Sequence, residues 1–175
     1  MRKLKVTELN RISVEEFKEA KKLPLVVVLD NVRSVYNVGS VFRTCDAFRI
    51  ESIYLCGISA QPPQVELHKT ALGAEFTVDW QYFKDTKDAI NSLREQGYIV
   101  YSVEQAEGST MLQDLQLDKS KKYAIVMGHE VKGVQQEVVD MSDGCIEIPQ
   151  YGTKHSLNVS VTTGIVIWDL FNKLR

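Results

Sequence analysis

Apolar positions along this chain fall in blocks rather than in residue-by-residue alternation. The first block is LVVVL (25–29), five consecutive apolar residues rich in β-branched side chains and set off by Pro24. An unbroken run of this kind predicts a strand buried on both faces, because a half-exposed strand would alternate. Similar runs recur as SIYLC (52–56), YIVYSV (98–103), YAIVM (123–127) and CIEI (145–148). Between them the spacing predicts helices near 38–48, 64–72, 84–96 and 134–141. In DTKDAINSLREQG (85–97), Ala89, Ile90 and Leu93 recur at helical spacing before a closing Gly97. Ser13-Val14-Glu15-Glu16 is a capping box that starts a short helix up to Lys22. Strands alternating with helices predict an α/β fold, one open and mostly parallel sheet with helices on both faces.

The last apolar segment, predicted as a helix over 159–174, is different in kind. At about 100° per residue, Val161, Ile165 and Trp168 form one apolar stripe. Val159, Val166 and Leu170 form a second, and Ile167, Phe171 and Leu174 a third. Only Thr162, Asp169 and Lys173 group as a wet face. Such a helix needs more than one surface to bury it. Its entry carries Ser156, Asn158 and Ser160, polar groups able to cap the free N–H groups of the first turn. The same groups are equally able to meet a ligand.

Composition narrows the class. The chain has 175 residues, an ordinary length for one domain, with 44% hydrophobic and 25% charged residues. The formal net charge is −2. Residues 1–22 carry seven basic against four acidic side chains, a net +3 that leaves −5 for the rest. A basic N-terminal face could meet phosphates, or be a solvated helix. Cys45, Cys56 and Cys145 are odd in number and share no short spacing, which fits a reducing cytoplasm better than a disulfide framework. His68, His129 and His155 are scattered, so no metal site is expected. No secretion-type start and no run of about 18 apolar residues is present, so no membrane span is expected.

The ligands of open parallel sheets bind beyond the C-terminal ends of the strands. There the sequence turns polar and glycine-containing three times. LVVVL is followed by DNVRSVYNVGSVFR, YAIVM by GHEVKG, and CIEI by PQYGTKHSLNVS. In the first loop, Asn37 and Gly39 fall where a helix begins and Arg43 follows on the first turns. That arrangement suits an anion, or is a plain Asn cap with a surface Arg. In the second, Glu130 could simply complement the dipole of the helix predicted over 134–141. The chain holds neither a Walker loop nor G-x-G-x-x-G.

Together the three loops resemble the SpoU (TrmH-like) family of RNA 2′-O-ribose methyltransferases, of the SPOUT or α/β-knot class. The resemblance runs from about residue 25 to the end. N-x-G-x-x-x-R is met by Asn37, Gly39 and Arg43, and G-x-E-x-x-G by Gly128, Glu130 and Gly133. I-P-x-x-G followed by S-L-N-V-S is met by Ile148, Pro149, Gly152 and Ser156 to Ser160. His129 stands where Asn or Ser is usual, and Gln150 where Met is usual.

The resemblance implies a methyltransferase domain over 25–175 after a basic helical extension over 1–24, and a C-terminal deep trefoil knot. It implies a cytoplasmic homodimer acting on tRNA or rRNA. It also implies S-adenosylmethionine bound against Val103, Glu104, Gln105, Gly128, Ile148, Leu157 and Asn158. Arg43 is expected nearest the 2′-hydroxyl proton, with Asn37, Glu130, Ser156 and Asn158 holding it and the nucleotide. A guanidinium is a poor base, so Arg43 either has a strongly altered acidity or orients the ribose. A non-catalytic RNA-binding module on the same fold, or a flavodoxin-like nucleotide-binding domain, are the competing readings.

Overall fold

A computed structural model describes residues 1–175. Seven strands form one sheet: β1 (Leu23–Asp30), β2 (Ile50–Cys56), β3 (Asp79–Phe83), β4 (Tyr98–Val103), β5 (Thr110–Met111), β6 (Lys122–Met127) and β7 (Gly144–Glu147). All pairings are parallel, in the order β3-β2-β1-β6-β4-β7-β5. The helices are α1 (Val14–Glu19), α2 (Val35–Ala47), α3 (Val65–Ala71), α4 (Ala74–Thr77), α5 (Thr86–Glu95), α6 (Gln136–Met141) and α7 (Val159–Leu174).

The pleat of β1 explains why its sequence does not alternate. Leu25, Val27 and Leu29 point into one core, shared with Phe42 of α2, Leu67 of α3 and Leu170 of α7. Val26 and Val28 point into the other, with Ile90 and Leu93 of α5 and Val138 of α6. Both faces are covered, so both sets of side chains are apolar. Val27 lies in register with Ile53 of β2 on one side and Ile125 of β6 on the other.

All five predicted strands are present. The predicted strand over 145–148 runs from Gly144 to Glu147. Two strands have no counterpart among the sequence expectations. β3 is an edge strand whose mixed pattern offers no apolar run, and β5 has two residues. The expected helices form with shifted ends, and the four-residue α4 has no counterpart among the expectations. α1 keeps its capping box, Ser13 Oγ accepting from the Glu16 amide at 3.1 Å. It stops at Glu19 rather than Lys22, because the Lys22 ammonium folds back onto the carbonyls of Phe17, Lys18 and Ala20. α2 starts at Val35, not near 38, since Ser34 caps it. α6 starts late, at Gln136, because Glu104 and Asp30 hold the amides of Val134 and Gln135.

α7 packs on α2, with the Phe48 ring 5.2 Å from that of Phe171 and 5.8 Å from that of Trp168. Two of its predicted apolar stripes are buried in whole or in part. The third stays open, with Val161, Ile165 and Trp168 exposed by 53%, 39% and 54%. No helix is long and apolar enough to cross a membrane.

Candidate active site

The sheet order reverses between β1 and β6, the kind of switch point where strand ends open a crevice. A cavity of about 680 Å³ lies above the ends of β4, β6 and β7. Its walls come from the loops after these strands and from the entry to α7. Of the residues expected at a cofactor, Val103, Glu104, Gln105, Gly128, Ile148, Leu157 and Asn158 all line it. Glu130 and Ser156 line it too. The loops also bring in Met127, His129, Lys132, Glu147 and His155, which the motifs do not single out.

Two glycines set the shape of one wall. A Cβ on Gly128 would fall 2.2 Å from the Gly133 carbonyl carbon and the Val134 nitrogen. Gly133 has φ +69°, and a Cβ there would fall 2.1 Å from a Glu104 carboxylate oxygen. The second loop is therefore folded tightly on itself, which leaves no room for a side chain at Gly128, while the positive φ disfavours one at Gly133.

Glu130 reaches across to α2. Its two carboxylate oxygens accept from the Arg33 and Ser34 amides, both at 2.8 Å, and from Asn37 Nδ2 at 3.1 Å. The helix dipole it complements is thus that of α2, and not that of the segment 134–141. At the start of α6 that part is taken by buried Asp30, which accepts from the Gln135 amide at 2.8 Å. Burial alone would raise the Glu130 carboxyl. The Ser34 and Arg33 amides, its own amide and Asn37 outweigh this and hold it below its ordinary value.

Asn37 is not the cap of α2, since Ser34 fills that place. Its side chain is left free to bridge, and Asn158 Nδ2 donates to Asn37 Oδ1 at 3.3 Å. Asn158 also caps α7, its Oδ1 accepting from the Ser160 and Val161 amides at 2.9 and 3.2 Å. Of the three polar residues at the helix entry, Asn158 alone caps backbone. Ser160 donates its hydroxyl to Asn158 Oδ1. Glu130, Asn37 and Asn158 form one chain of side chains from three loops.

Gly39 and Arg43 stand apart from that chain. A Cβ on Gly39 would meet the Leu67 carbonyl oxygen at 2.4 Å, so this glycine serves the close packing of α2 on α3. Arg43 is exposed on the third turn of α2, rather than the first turns, and lies outside the cavity wall. The Ser34 cap, which the motifs also leave out, is signalled by a Ser three residues before Asn37.

The cavity's contents can be narrowed from its walls. Apolar Val103, Met127, Ile148 and Leu157 alternate with carboxylates and amides, the mixed lining of a small-molecule site. Burial raises all three thiols, Cys56 to about 12, so no thiolate nucleophile is at hand. No group of three or more His, Cys, Asp or Glu residues is poised around a metal ion.

A parallel α/β sheet with this cavity past its strand ends places the chain among proteins that bind a ligand in the loops beyond the strands. Comparison with known proteins gives the family. Residues 24–168 match the SpoU rRNA Methylase family. A tRNA (guanosine(18)-2′-O)-methyltransferase of Thermus thermophilus is 29% identical over 163 residues, 93% of this chain and 82% of that protein. Among solved structures, the TrmH/SpoU tRNA modifying enzyme of A. aeolicus superposes with a TM-score of 0.80 at 26% identity, over 91% of this chain and 80% of that one. An AdoMet-bound rRNA methyltransferase from Sinorhizobium meliloti gives 0.80 at 28% identity, over 91% of this chain and 60% of that one. The chain belongs to the SpoU methylase family. It is an RNA methyltransferase of the SPOUT fold class, and S-adenosylmethionine is its cofactor.

Proposed function

We propose that this protein methylates a ribose 2′-hydroxyl of tRNA or rRNA, and that Arg43, Asn37, Glu130, Ser156 and Asn158 carry the reaction. The observation behind the residue assignment is the Glu130–Asn37–Asn158 chain, which ties three loops together beside the cavity. S-adenosylmethionine supplies a methyl group on a sulfonium, which is already an activated leaving group. The protein's own work is to place the ribose in line and to draw off a proton from a weak acid. Val103, Glu104, Gly128, Ile148, Leu157 and Asn158 hold the cofactor in this reading, Gly128 by letting the backbone approach closely.

Asn37 has both ends of its amide engaged, so it is held in one orientation beside the cavity. Ser156 lines the wall with its hydroxyl available. Arg43 is exposed outside the cavity, and in this reading it meets the RNA rather than the cofactor. Its guanidinium orients the ribose and its phosphate, a role for which a planar fork of donors is suited. We further propose that the segment 148–158 and α7 thread a trefoil knot, and that the open Val161–Ile165–Trp168 stripe pairs with a second copy of the chain. Residues 1–24, with their basic side chains, form an extension that meets RNA phosphates. Three free thiols suit a cytoplasmic setting.

The deciding experiment uses total RNA from cells with and without the gene, methylated in vitro with radiolabelled cofactor and mapped for 2′-O-methyl ribose. Label should appear at a ribose only in RNA lacking the modification. Arg43→Ala should lose about a hundredfold or more in kcat while S-adenosylhomocysteine affinity, read by calorimetry, changes less than about threefold. Full activity in that variant would remove Arg43 from the site. Absence of ribose methylation with every RNA tested would remove the proposed reaction.

A further inference from the structure

The geometry points to His129 as a positioning residue of the second loop, one that works only while its imidazole is neutral. This rests on the reading of the loop as a wall of the cofactor site. His129 Nδ1 accepts from the Val131 amide at 3.0 Å and from the Lys132 amide at 3.3 Å. The same residue exchanges two backbone hydrogen bonds with Gly133, at 3.1 and 2.8 Å. The turn 129–133 is thus closed by one backbone bridge and by one ring nitrogen. Gly128, Glu130, Val131 and Lys132 of this loop all border the cavity.

A ring nitrogen that accepts from two amides must carry its lone pair. The proton of the neutral ring then sits on Nε2. Protonation at Nδ1 converts the acceptor into a donor aimed at two other donors, and the turn loses its side-chain closure. Histidine is the side-chain type that gains a proton in mild acid, so the exchange of acceptor for donor can be sought by experiment. An Asn side chain can close a turn by the same acceptor pattern without titrating.

Other charged groups around the ring could contribute a pH response of their own. Glu130 and Lys132 share the loop, Glu104 faces it from the β4 end, Glu147 from β7 and His155 from the C-terminal segment. Glu130 and Glu104 are tied to backbone amides, and Glu147 accepts from Ser109 Oγ at 2.6 Å. Asp30 holds the following Gln135. Glu130 is held below its ordinary value by the Ser34 and Arg33 amides, and His155 is the second imidazole on the cavity wall, so it is the group to control for.

The test compares the wild-type chain with His129→Asn, His129→Ala and His155→Asn. Two quantities are read from pH 7.5 to 5.5: amide-exchange protection of residues 131 and 132 by NMR, and S-adenosylhomocysteine affinity by calorimetry. In wild type and in His155→Asn, both amides should lose protection towards acid. Affinity should fall roughly tenfold over the same range, the worth of about one net hydrogen bond. In His129→Asn, protection should persist and affinity should fall less than about threefold. His129→Ala should be weak, and its residue-131 and -132 amides unprotected, at both ends of the range. Equal acid losses in wild type and His129→Asn would overturn the assignment, as would wild-type protection in His129→Ala at pH 7.5. Should no variant bind the cofactor product at any pH, the cavity reading fails, and amide protection alone still decides the role of His129.

Discussion

Replacing Glu130 by Gln tests the idea that this carboxylate staples the second loop to the start of α2. Glu130 accepts two backbone amides at 2.8 Å and one side-chain amide at 3.1 Å. A Gln has the same shape but one acceptor oxygen, and its NH2 would face at least one N–H. The change removes a charge-assisted hydrogen bond, worth ~1.5–3 kcal/mol, and sets donor against donor. Loss of the anion at the helix N-terminus adds ~0.3–1 kcal/mol. The group is partly exposed, so water and small shifts recover some of this, and the net expectation is about 2 kcal/mol at neutral pH.

The pH dependence follows from the lowered pKa of Glu130, held down by the Ser34 and Arg33 amides and Asn37. In the unfolded chain a Glu ionises near ~4.3. A group whose folded value is lower stabilises the fold fully above that pH, and the benefit is lost as pH falls through the folded value. The difference between wild type and Glu130→Gln should therefore be flat from pH 7 to about 5 and shrink below about 4. Urea denaturation across this range measures it. A difference under about 0.5 kcal/mol at pH 7, or one that does not change with acid, would refute the staple.

Two shorter predictions follow from packing. Gly39→Ala should lower stability by ~1–3 kcal/mol through overpacking against the Leu67 carbonyl, read by thermal or urea unfolding; a neutral result would show that α2 and α3 can part without cost. Trp168→Glu should shift sedimentation from a dimer towards a monomer while far-UV circular dichroism is kept, because a charge would be buried in the paired face. A monomeric wild type would refute the pairing.

What could be read from the sequence depended on how local its cause was. β1, β2 and β6 are legible because a strand covered on both faces is apolar along nearly its whole length, and β4 and β7 because enough apolar residues remain on their buried positions. The Asn37, Glu130 and Asn158 motifs are legible because each loop repeats a pattern seen in relatives. Where those residues point is another matter. Glu130 and Asn37 are 93 positions apart and Asn158 and Asn37 are 121 apart, so no periodicity links them. The same distance in sequence hid that Asp30, not Glu130, serves α6. β3 escaped because an edge strand is free to be polar, and Arg43 falls on the third turn of α2 because that helix starts three residues early.

Asn158 shows how one side chain can satisfy both answers to why polar residues stand at the mouth of an apolar helix. Its Oδ1 caps α7 and its Nδ2 donates to Asn37. The two tasks use opposite ends of one amide, so they can be separated. Asn158→Asp keeps an acceptor for the Ser160 and Val161 amides, and Asp is as good a cap as Asn. Its anion also suits a helix N-terminus. It loses the donor to Asn37 Oδ1 and sets two oxygens against each other beside Glu130. Stability should stay within ~1 kcal/mol of wild type, whereas Asn158→Ala should lose ~1 kcal/mol or more through the missing cap. Methyl transfer should fall in both variants by a similar factor, tenfold or more, since both lack the bridge that holds Asn37. Measured together, unfolding free energies and single-turnover rates tell the tasks apart. If Asn158→Asp transfers methyl groups at the wild-type rate, the bridge to Asn37 has no part in the reaction, and Asn158 is a helix cap that happens to border the cavity.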